Sequence, residues 1–159
     1  MDSPPIDEGS FVREPKLVVR DPEASLNVLG DTQYVLLTGE DTEGRFALME
    51  NENPPGVGPP PHVHRNEDEA FHVLEGRVAF EVDGERVVGE AGATMFLPRG
   101  STHTWEVVGD EPARMLIMLM PAGLEDYFRE LSDLDGDGPP DMEEVLEVSA
   151  RHGIEFPGL

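Results

Sequence analysis

The sequence predicts a single-domain, all-β barrel followed by a short helical segment. Fifteen prolines and seventeen glycines occur in 159 residues, and they fall between short apolar runs. Turn residues at such frequent intervals are typical of short strands joined by tight loops. Regularly spaced short strands favour a sandwich or a barrel, and closure into a barrel also removes exposed strand edges.

Nine runs of residues are candidate strands. They lie at 16–20, 32–38, 44–50, 69–74, 78–82, 85–88, 94–97, 103–108 and 114–120. The clearest turn between them is Asp83-Gly84, which is typical of a two-residue β-hairpin. Residues 1–15 are acidic and proline-rich, so we expect an irregular N-terminal arm before a barrel that comprises residues 16–122.

The pattern of apolar residues changes after Pro121. Apolar side chains recur at helical spacing over residues 124–131 and again over 142–152, with Asp141 as the N-cap of the second helix. We therefore expect a C-terminal helical segment at 123–159. Its two helices could close one end of the barrel or pack on a partner subunit.

The composition restricts the class of partner. The chain has 34 acidic and 11 basic side chains, for a formal net charge of -23. Such a surface repels phosphate backbones and anionic lipid headgroups, so we expect no nucleic-acid or membrane partner. The N-terminus lacks the pattern of a signal peptide, and no apolar run approaches 18 residues, so we expect a cytoplasmic location.

The chain contains no cysteine, so a metal site would need histidine and carboxylate ligands. His62 and His64 are two positions apart and face the same way in an extended segment. Residues 65–68 must then form a loop that lets Glu69 point inward with Phe71 and Val73. A carboxylate among apolar neighbours is costly unless a cation pairs with it, and a metal ion would do so.

A second stretch supplies a fourth candidate ligand. After a turn at Pro98 and Gly100, the side chains of His103, Trp105 and Val107 alternate onto one face. If that face is the barrel interior, His103 joins the first three residues. Three imidazoles and one carboxylate suit one divalent transition metal, namely Fe, Mn, Ni, Co, Cu or Zn, rather than Mg or Ca.

The two stretches resemble the paired motifs of the cupin superfamily over about residues 30–122. The first motif is matched by Gly56, His62, His64, Glu69 and Gly76. The second is matched by Gly92, Pro98, Gly100 and His103, whereas Val107 replaces its final Asn. The resemblance implies a double-stranded β-helix, also called a jelly-roll barrel, with metal ligands His62, His64, Glu69 and His103, and a homodimer.

Within that superfamily, the lead-in at residues 29–34, the approach at 59–62 and the single barrel resemble small quercetin-dioxygenase-like cupins. This resemblance implies a metal-dependent dioxygenase that acts on a small aromatic, flavonol-like substrate, with Glu69 as the catalytic base. Two alternatives stay open: a metal-dependent sugar isomerase or epimerase, and a non-catalytic cupin that binds a small molecule.

Other polar residues have simpler interpretations. His72 has the opposite parity to Glu69 and is predicted to face outward, and Arg99 and Arg114 are expected to pair with surface acids. Residues 133–144 match a calcium-loop pattern, but Pro139 and Pro140 donate no backbone N–H where the loop needs one, so we do not expect calcium there.

Five apolar residues are candidates for a pocket wall, although barrel filling is the simpler interpretation for most of them. They are Phe71, Phe80, Met95, Trp105 and Met118.

Overall fold

The structure, a computed structural model, describes residues 14–134, 136 and 138–159. The strands are β1 (Leu26–Val28), β2 (Asp31–Leu37), β3 (Ala47–Asn53), β4 (Val63–His64), β5 (Asp68–Glu75), β6 (Arg77–Val82), β7 (Glu85–Glu90), β8 (Thr94–Leu97), β9 (His103–Val108), β10 (Ala113–Met120) and β11 (Ile154–Glu155). The helices are a short 3-10 turn (Pro22–Ala24), α1 (Gly39–Thr42), α2 (Leu124–Asp133) and α3 (Met142–Arg151).

The strands form two main antiparallel sheets with a core between them. One sheet has the order β1-β2-β3-β10-β5-β8, the other has the order β7-β6-β9, and a small two-stranded sheet pairs β11 with β4. Phe71 of the larger sheet meets Phe80 of the smaller one, with ring centroids 5.8 Å apart. This arrangement confirms the predicted double-stranded β-helix.

Alternation along the strands decides which side chains face this core. Glu69, Phe71 and Val73 of β5 are buried while their neighbours are partly exposed, which is the predicted parity. Burial of one large aliphatic or aromatic side chain contributes roughly 1.5–3 kcal/mol, so the apolar inward positions fix the strand register. The same register turns Glu69 inward.

The hairpin predicted at Asp83-Gly84 is confirmed between β6 and β7. Asp83 has φ 49° and Gly84 has φ 88°. Two consecutive residues with positive φ are typical of a type I′ turn, whose twist matches that of the flanking strands.

The strand predicted at residues 16–20 is wrong. Leu17 and Val19 are 93% and 80% exposed, and the segment has no strand partner. Side chains attach it to the barrel instead: Arg20 contacts two carboxylates of β3 and lies 4.5 Å above the ring of Tyr34. Short alternating apolar runs cannot distinguish a paired strand from an extended arm.

Several boundaries also differ from the prediction. The strand expected at 44–50 lies at Ala47–Asn53, because α1 and the turn after it occupy the preceding residues. Strands β1, β4 and β11 were not predicted. Each has only two or three residues, which is too short for an alternation pattern to be recognised.

Both C-terminal helices pack on the barrel of their own chain. The buried face of α2 includes Tyr127, Phe128 and Leu131, and Tyr127 is hydrogen-bonded to Ser149 of α3 at 2.8 Å. The backbone N–H of Asn27 on β1 donates to Ser132 of α2 at 3.1 Å. Of the two arrangements left open by the sequence, the helices adopt the one that closes an end of the barrel.

The predicted N-cap of α3 is confirmed, since Asp141 accepts a hydrogen bond from the N–H of Glu143 at 2.9 Å. Residues 135 and 137 of the calcium-loop pattern lie outside the described residues, as do residues 1–13 of the predicted N-terminal arm.

Gly58 lets the segment before His62 approach β9. The N–H of Gly56 donates to Val107 at 2.8 Å, and the N–H of Val107 donates to Val57 at 3.0 Å. A Cβ at position 58 would overlap the carbonyl group of Trp105. Glycine is therefore required there for close approach of two backbones, which in turn places His62 opposite β9.

We predict that Gly58→Ala destabilises the fold by about 1–3 kcal/mol, because backbone atoms must move to admit the methyl group. Gly158→Ala is the control, since a Cβ there meets no atom within 4 Å. Chemical denaturation followed by circular dichroism measures both. Equal stability of the two variants would contradict this explanation of Gly58.

Candidate metal centre

His62 and His64 are positioned by backbone contacts on both sides. His62 forms a two-way bridge with His103, in which each N–H donates to the other residue's carbonyl at 2.9 Å. His64 lies on β4 and pairs with Ile154 of β11. The N–H of Gly100 also donates to the carbonyl of His64 at 2.9 Å. The segment at residues 62–64, which carries two imidazoles, is thus fixed by β9, by β11 and by the turn before β9.

The structure brings all four predicted ligands together. One ligand atom from each of His62, His64, Glu69 and His103 lies within 4.8 Å of the other three. Glu69 Oε2 is 2.9 Å from His103 Nε2 and 3.3 Å from His64 Nε2. All four residues are buried, with at most 8% of their surface exposed. Within the described residues, this is the one cluster of three or more His, Cys, Asp or Glu side chains that is close enough to hold a metal ion.

Each imidazole presents Nε2 to the centre because an oxygen faces its Nδ1. His62 Nδ1–H donates to the carbonyl of Pro60 at 2.9 Å, and His103 Nδ1–H donates to that of Ser101 at 3.3 Å. His64 Nδ1 lies 3.8 Å from Glu67 Oε2. Oxygen partners on the outer nitrogen are the usual way in which metal-ligating histidines are oriented.

Three atoms at the centre lack a hydrogen-bond partner although they are buried. They are His64 Nε2, Glu69 Oε2 and His103 Nε2. A buried polar atom without a partner is costly, and here the three converge on one point. A divalent cation would accept lone pairs from all of them, so the residues present fit a transition-metal ion.

The electrostatics agree with a cation-binding centre. Burial and the two neighbouring imidazoles lower the pKa of His62 to about 3, which keeps this ring neutral and able to ligate. Burial raises the pKa of Glu69, but the nearby imidazoles outweigh burial and bring it to about 2, so the carboxylate is ionised. Neutral imidazole and ionised carboxylate are the forms that bind a metal.

An apolar pocket opens beside the four side chains. It encloses about 570 Å³, including its open mouth, and His62, His64 and Glu69 form part of its wall. The barrel contributes Phe71 and Trp105 to the lining. The C-terminal segment contributes Tyr127, Phe128, Leu131, Ile154 and Phe156. A mostly apolar pocket with a few polar groups is typical of a small-molecule site.

The other candidate residues are distributed as follows. Phe71 and Trp105 line the pocket, whereas Phe80 fills the core, and Met95 and Met118 are partly exposed.

The polar candidates outside the centre face the surface as predicted. His72 faces away from the centre and contacts Thr94 at 2.8 Å. Arg99 pairs with Asp68, and Arg114 pairs with Glu50 and Glu75.

Sequence reasoning missed three buried polar residues near the centre. Glu67 is 7% exposed although it lies in a polar loop, and Asp31 and Gln33 of β2 face the same pocket. Parity could have found Gln33, which lies in the strand predicted at 32–38, whereas Asp31 precedes that predicted strand by one residue. No sequence signal separates Glu67 from its exposed neighbours.

Residues 50–119 match the family model described as a cupin domain. Together with the fold, this match indicates a member of the cupin superfamily. The match contains all four residues of the centre and covers strands β5 to β9 completely.

Three similar proteins illustrate the range of cupin activities. A quercetin 2,3-dioxygenase of Bacillus subtilis (strain 168) is 26% identical over 117 residues, which is 73% of this chain and 34% of that protein. A predicted oxalate decarboxylase of Thermotoga maritima superposes with TM-score 0.61 and 23% identity over 67% of this chain and 99% of that one. The polyketide cyclase RemF of Streptomyces resistomycificus has TM-score 0.51 and 28% identity over 64% of this chain and 70% of that one.

The chain therefore spans about a third of the length of the curated dioxygenase that it matches. No helix within the described part of the chain has the length and apolar character needed to cross a bilayer.

We predict that His62→Ala lowers the affinity for Co²⁺ or Zn²⁺ by more than about 100-fold, because loss of an outer partner alone costs roughly 10–100-fold. His72→Ala is the matched control, since its ring lies on the outer face of β5. Elemental analysis and metal titration measure both. Equal metal content in the two variants would exclude the centre as described.

Glu67→Gln tests the carboxylate beside His64. His64 Nδ1 and Glu67 Oε2 are 3.8 Å apart, and neither atom has a hydrogen-bond partner. The carboxylate therefore acts on the imidazole through its charge, and loss of that charge should weaken metal binding by about 10-fold. The exposed Glu85→Gln is the control. Unchanged affinity in Glu67→Gln would show that Glu67 does not position His64.

Proposed function

We propose that this cupin domain is a metal-dependent dioxygenase for a small aromatic substrate that carries a hydroxyl group. His62, His64, Glu69 and His103 would hold one divalent transition metal. The observation that carries the proposal is the position of the centre in the wall of an apolar, aromatic-lined pocket. A substrate ring in that pocket would have its hydroxyl group directed at the centre.

The ion, when bound, would supply a Lewis-acidic centre with coordination positions not occupied by protein. The chain supplies the remaining functions. Phe71 and Trp105 line the pocket, so they exclude water and offer contacts to an aromatic ring. Glu69 is ionised, and one of its oxygens has no hydrogen-bond partner. We propose that Glu69, besides binding the ion, accepts the proton of a substrate hydroxyl.

The pocket lining disfavours a sugar-phosphate isomerase. Within the described part of the chain, no Lys or Arg lines the pocket, and its acidic members are Asp31 and Glu69. A phosphorylated substrate would meet carboxylates with no cationic side chain to offset them. Similarity to a quercetin dioxygenase supports the aromatic alternative.

Cyclisation of an aromatic polyketide is the second candidate. The similar structure of RemF, at 28% identity, is that of a polyketide cyclase, and an aromatic-lined pocket suits such a substrate as well. This reaction class consumes no dioxygen, which separates it from the first candidate.

We further propose that the protein acts in the cytoplasm as a homodimer, with residues 16–122 as the barrel and 123–159 as its helical segment. Val87, Val88 and Phe96 are exposed on strands β7 and β8, and exposed apolar side chains are common at subunit contacts. Light scattering gives the subunit number directly.

We predict that the purified protein contains about one transition metal per chain and consumes dioxygen with at least one flavonol. His62→Ala should lose both properties, because an incomplete ligand set binds metal poorly. Elemental analysis followed by oxygen uptake with a flavonol panel measures them. Metal without oxygen uptake would overturn the dioxygenase and favour cyclisation or simple binding, and absence of metal from the wild type would overturn the metal-dependent dioxygenase.

A further inference from the structure

The pocket wall contains a polar pair that the proposed reaction does not use. Asp31 and Gln33 lie on β2, are 7% and 3% exposed, and line the same pocket as His62 and Glu69. Polar side chains in an apolar wall are costly to bury unless their hydrogen bonds are satisfied. The hydrogen bonds of Asp31 and Gln33 therefore show which polar atom of the pair is left to bind a ligand.

Asp31 is satisfied by three side-chain amides. Gln33 Nε2 donates to Asp31 Oδ2 at 2.7 Å, and Asn53 and Asn51 donate to Asp31 Oδ1 at 2.6 and 3.2 Å. The N–H of Thr32 donates to Asn53 Oδ1 at 2.9 Å, which fixes the orientation of that amide. The carboxylate is thus a rigid acceptor held from behind by β3.

Only the nitrogen of the Gln33 side-chain amide has a hydrogen-bond partner. Its Nε2 is committed to Asp31, but Gln33 Oε1 is buried and has no hydrogen-bond partner. Turning the amide over would place its carbonyl oxygen against the Asp31 carboxylate, so the cluster holds the orientation in place. The result is a fixed, unpartnered acceptor on a residue that lines the pocket.

We propose that Gln33, held by Asp31, is a recognition site for a neutral hydroxyl group of the substrate, separate from the group that faces the metal centre. This inference rests on the proposed function, because it concerns an aromatic ligand in the same pocket. The substrate would carry a second hydroxyl group, which donates to Gln33 Oε1.

The charges around the pocket define the class of group that this site accepts. Oxygen acceptors come from Asp31, Gln33 and Glu69, and within the described residues no Lys or Arg lines the pocket. A carboxylate or phosphate group would be repelled, and a methyl ether would bring no proton to donate. A hydroxyl group satisfies the buried oxygen without adding charge to an apolar wall.

Trp105 provides a direct reporter of binding. It is the only tryptophan of the chain and it lines the pocket, so a ligand should change its fluorescence. The probes are 4-(4-hydroxyphenyl)catechol, its 3-hydroxyphenyl isomer and 4-phenylcatechol. The first two carry one further hydroxyl group on the second ring, at different positions, and 4-phenylcatechol lacks that group. Titration of the purified protein under argon prevents turnover.

We expect the wild type to bind at least one of the two hydroxyphenyl probes about 10-fold more tightly than 4-phenylcatechol, as for one hydrogen bond to a buried acceptor. Gln33→Met keeps a side chain of similar length and removes the acceptor, so the ratio should fall to about one. Tyr34→Phe is the control and should retain the ratio, because Tyr34 is the adjacent residue and packs under Arg20 on the outer face.

A wild type that binds all three probes equally, or a ratio unchanged in Gln33→Met, would overturn the proposal. If Gln33→Met does not fold, as judged by circular dichroism, Gln33→Asn replaces it. The shorter side chain retracts the acceptor, so the ratio should fall in the same way, and a retained ratio again overturns the proposal. Because binding is measured without oxygen, failure of the dioxygenase reaction leaves this test independent.

Discussion

The constraint on which the rest of the structure depends is the burial of an ionised carboxylate among three imidazoles. Glu69 is 3% exposed, and removing a charge from water costs several kcal/mol unless opposite charge and hydrogen bonds offset it. His64, Glu69 and His103 lie on strands β4, β5 and β9, and His62 precedes β4 and forms a backbone bridge with His103. The barrel therefore acts as a rigid frame around a group of side chains that suits a divalent cation.

The pocket beside this centre combines an apolar surface with oxygen acceptors from Asp31, Gln33 and Glu69. Apolar walls favour a flat, poorly hydrated ligand. Acceptors in a low-dielectric wall favour ligands that bring their own protons and disfavour anions, and the strongly acidic surface of the protein acts in the same direction. Shape and charge thus both support the proposed ligand, a neutral hydroxylated ring.

The sequence predicted the parts of the structure that repeat or that carry a strong local signal. Alternation placed Glu69 and His103 on inward faces, and Asp83-Gly84 gave the hairpin, because both depend only on neighbouring residues. It could not predict β11, whose two residues become a strand only by pairing with β4. The strand predicted at residues 16–20 is wrong for the converse reason. Its apolar residues alternate as in a strand, but the segment pairs with no other strand and its apolar side chains are exposed.

The pairing of β11 with β4 has a consequence for how the protein is made. Arg65 and Glu155, which flank this small sheet, are 90 positions apart in the chain. At 5–20 residues per second, a ribosome needs roughly 5–20 s to make that interval. During this time His64 has been translated while the strand that pairs with it has not. The frame around His64 is therefore complete only after residues 154–155 have been translated.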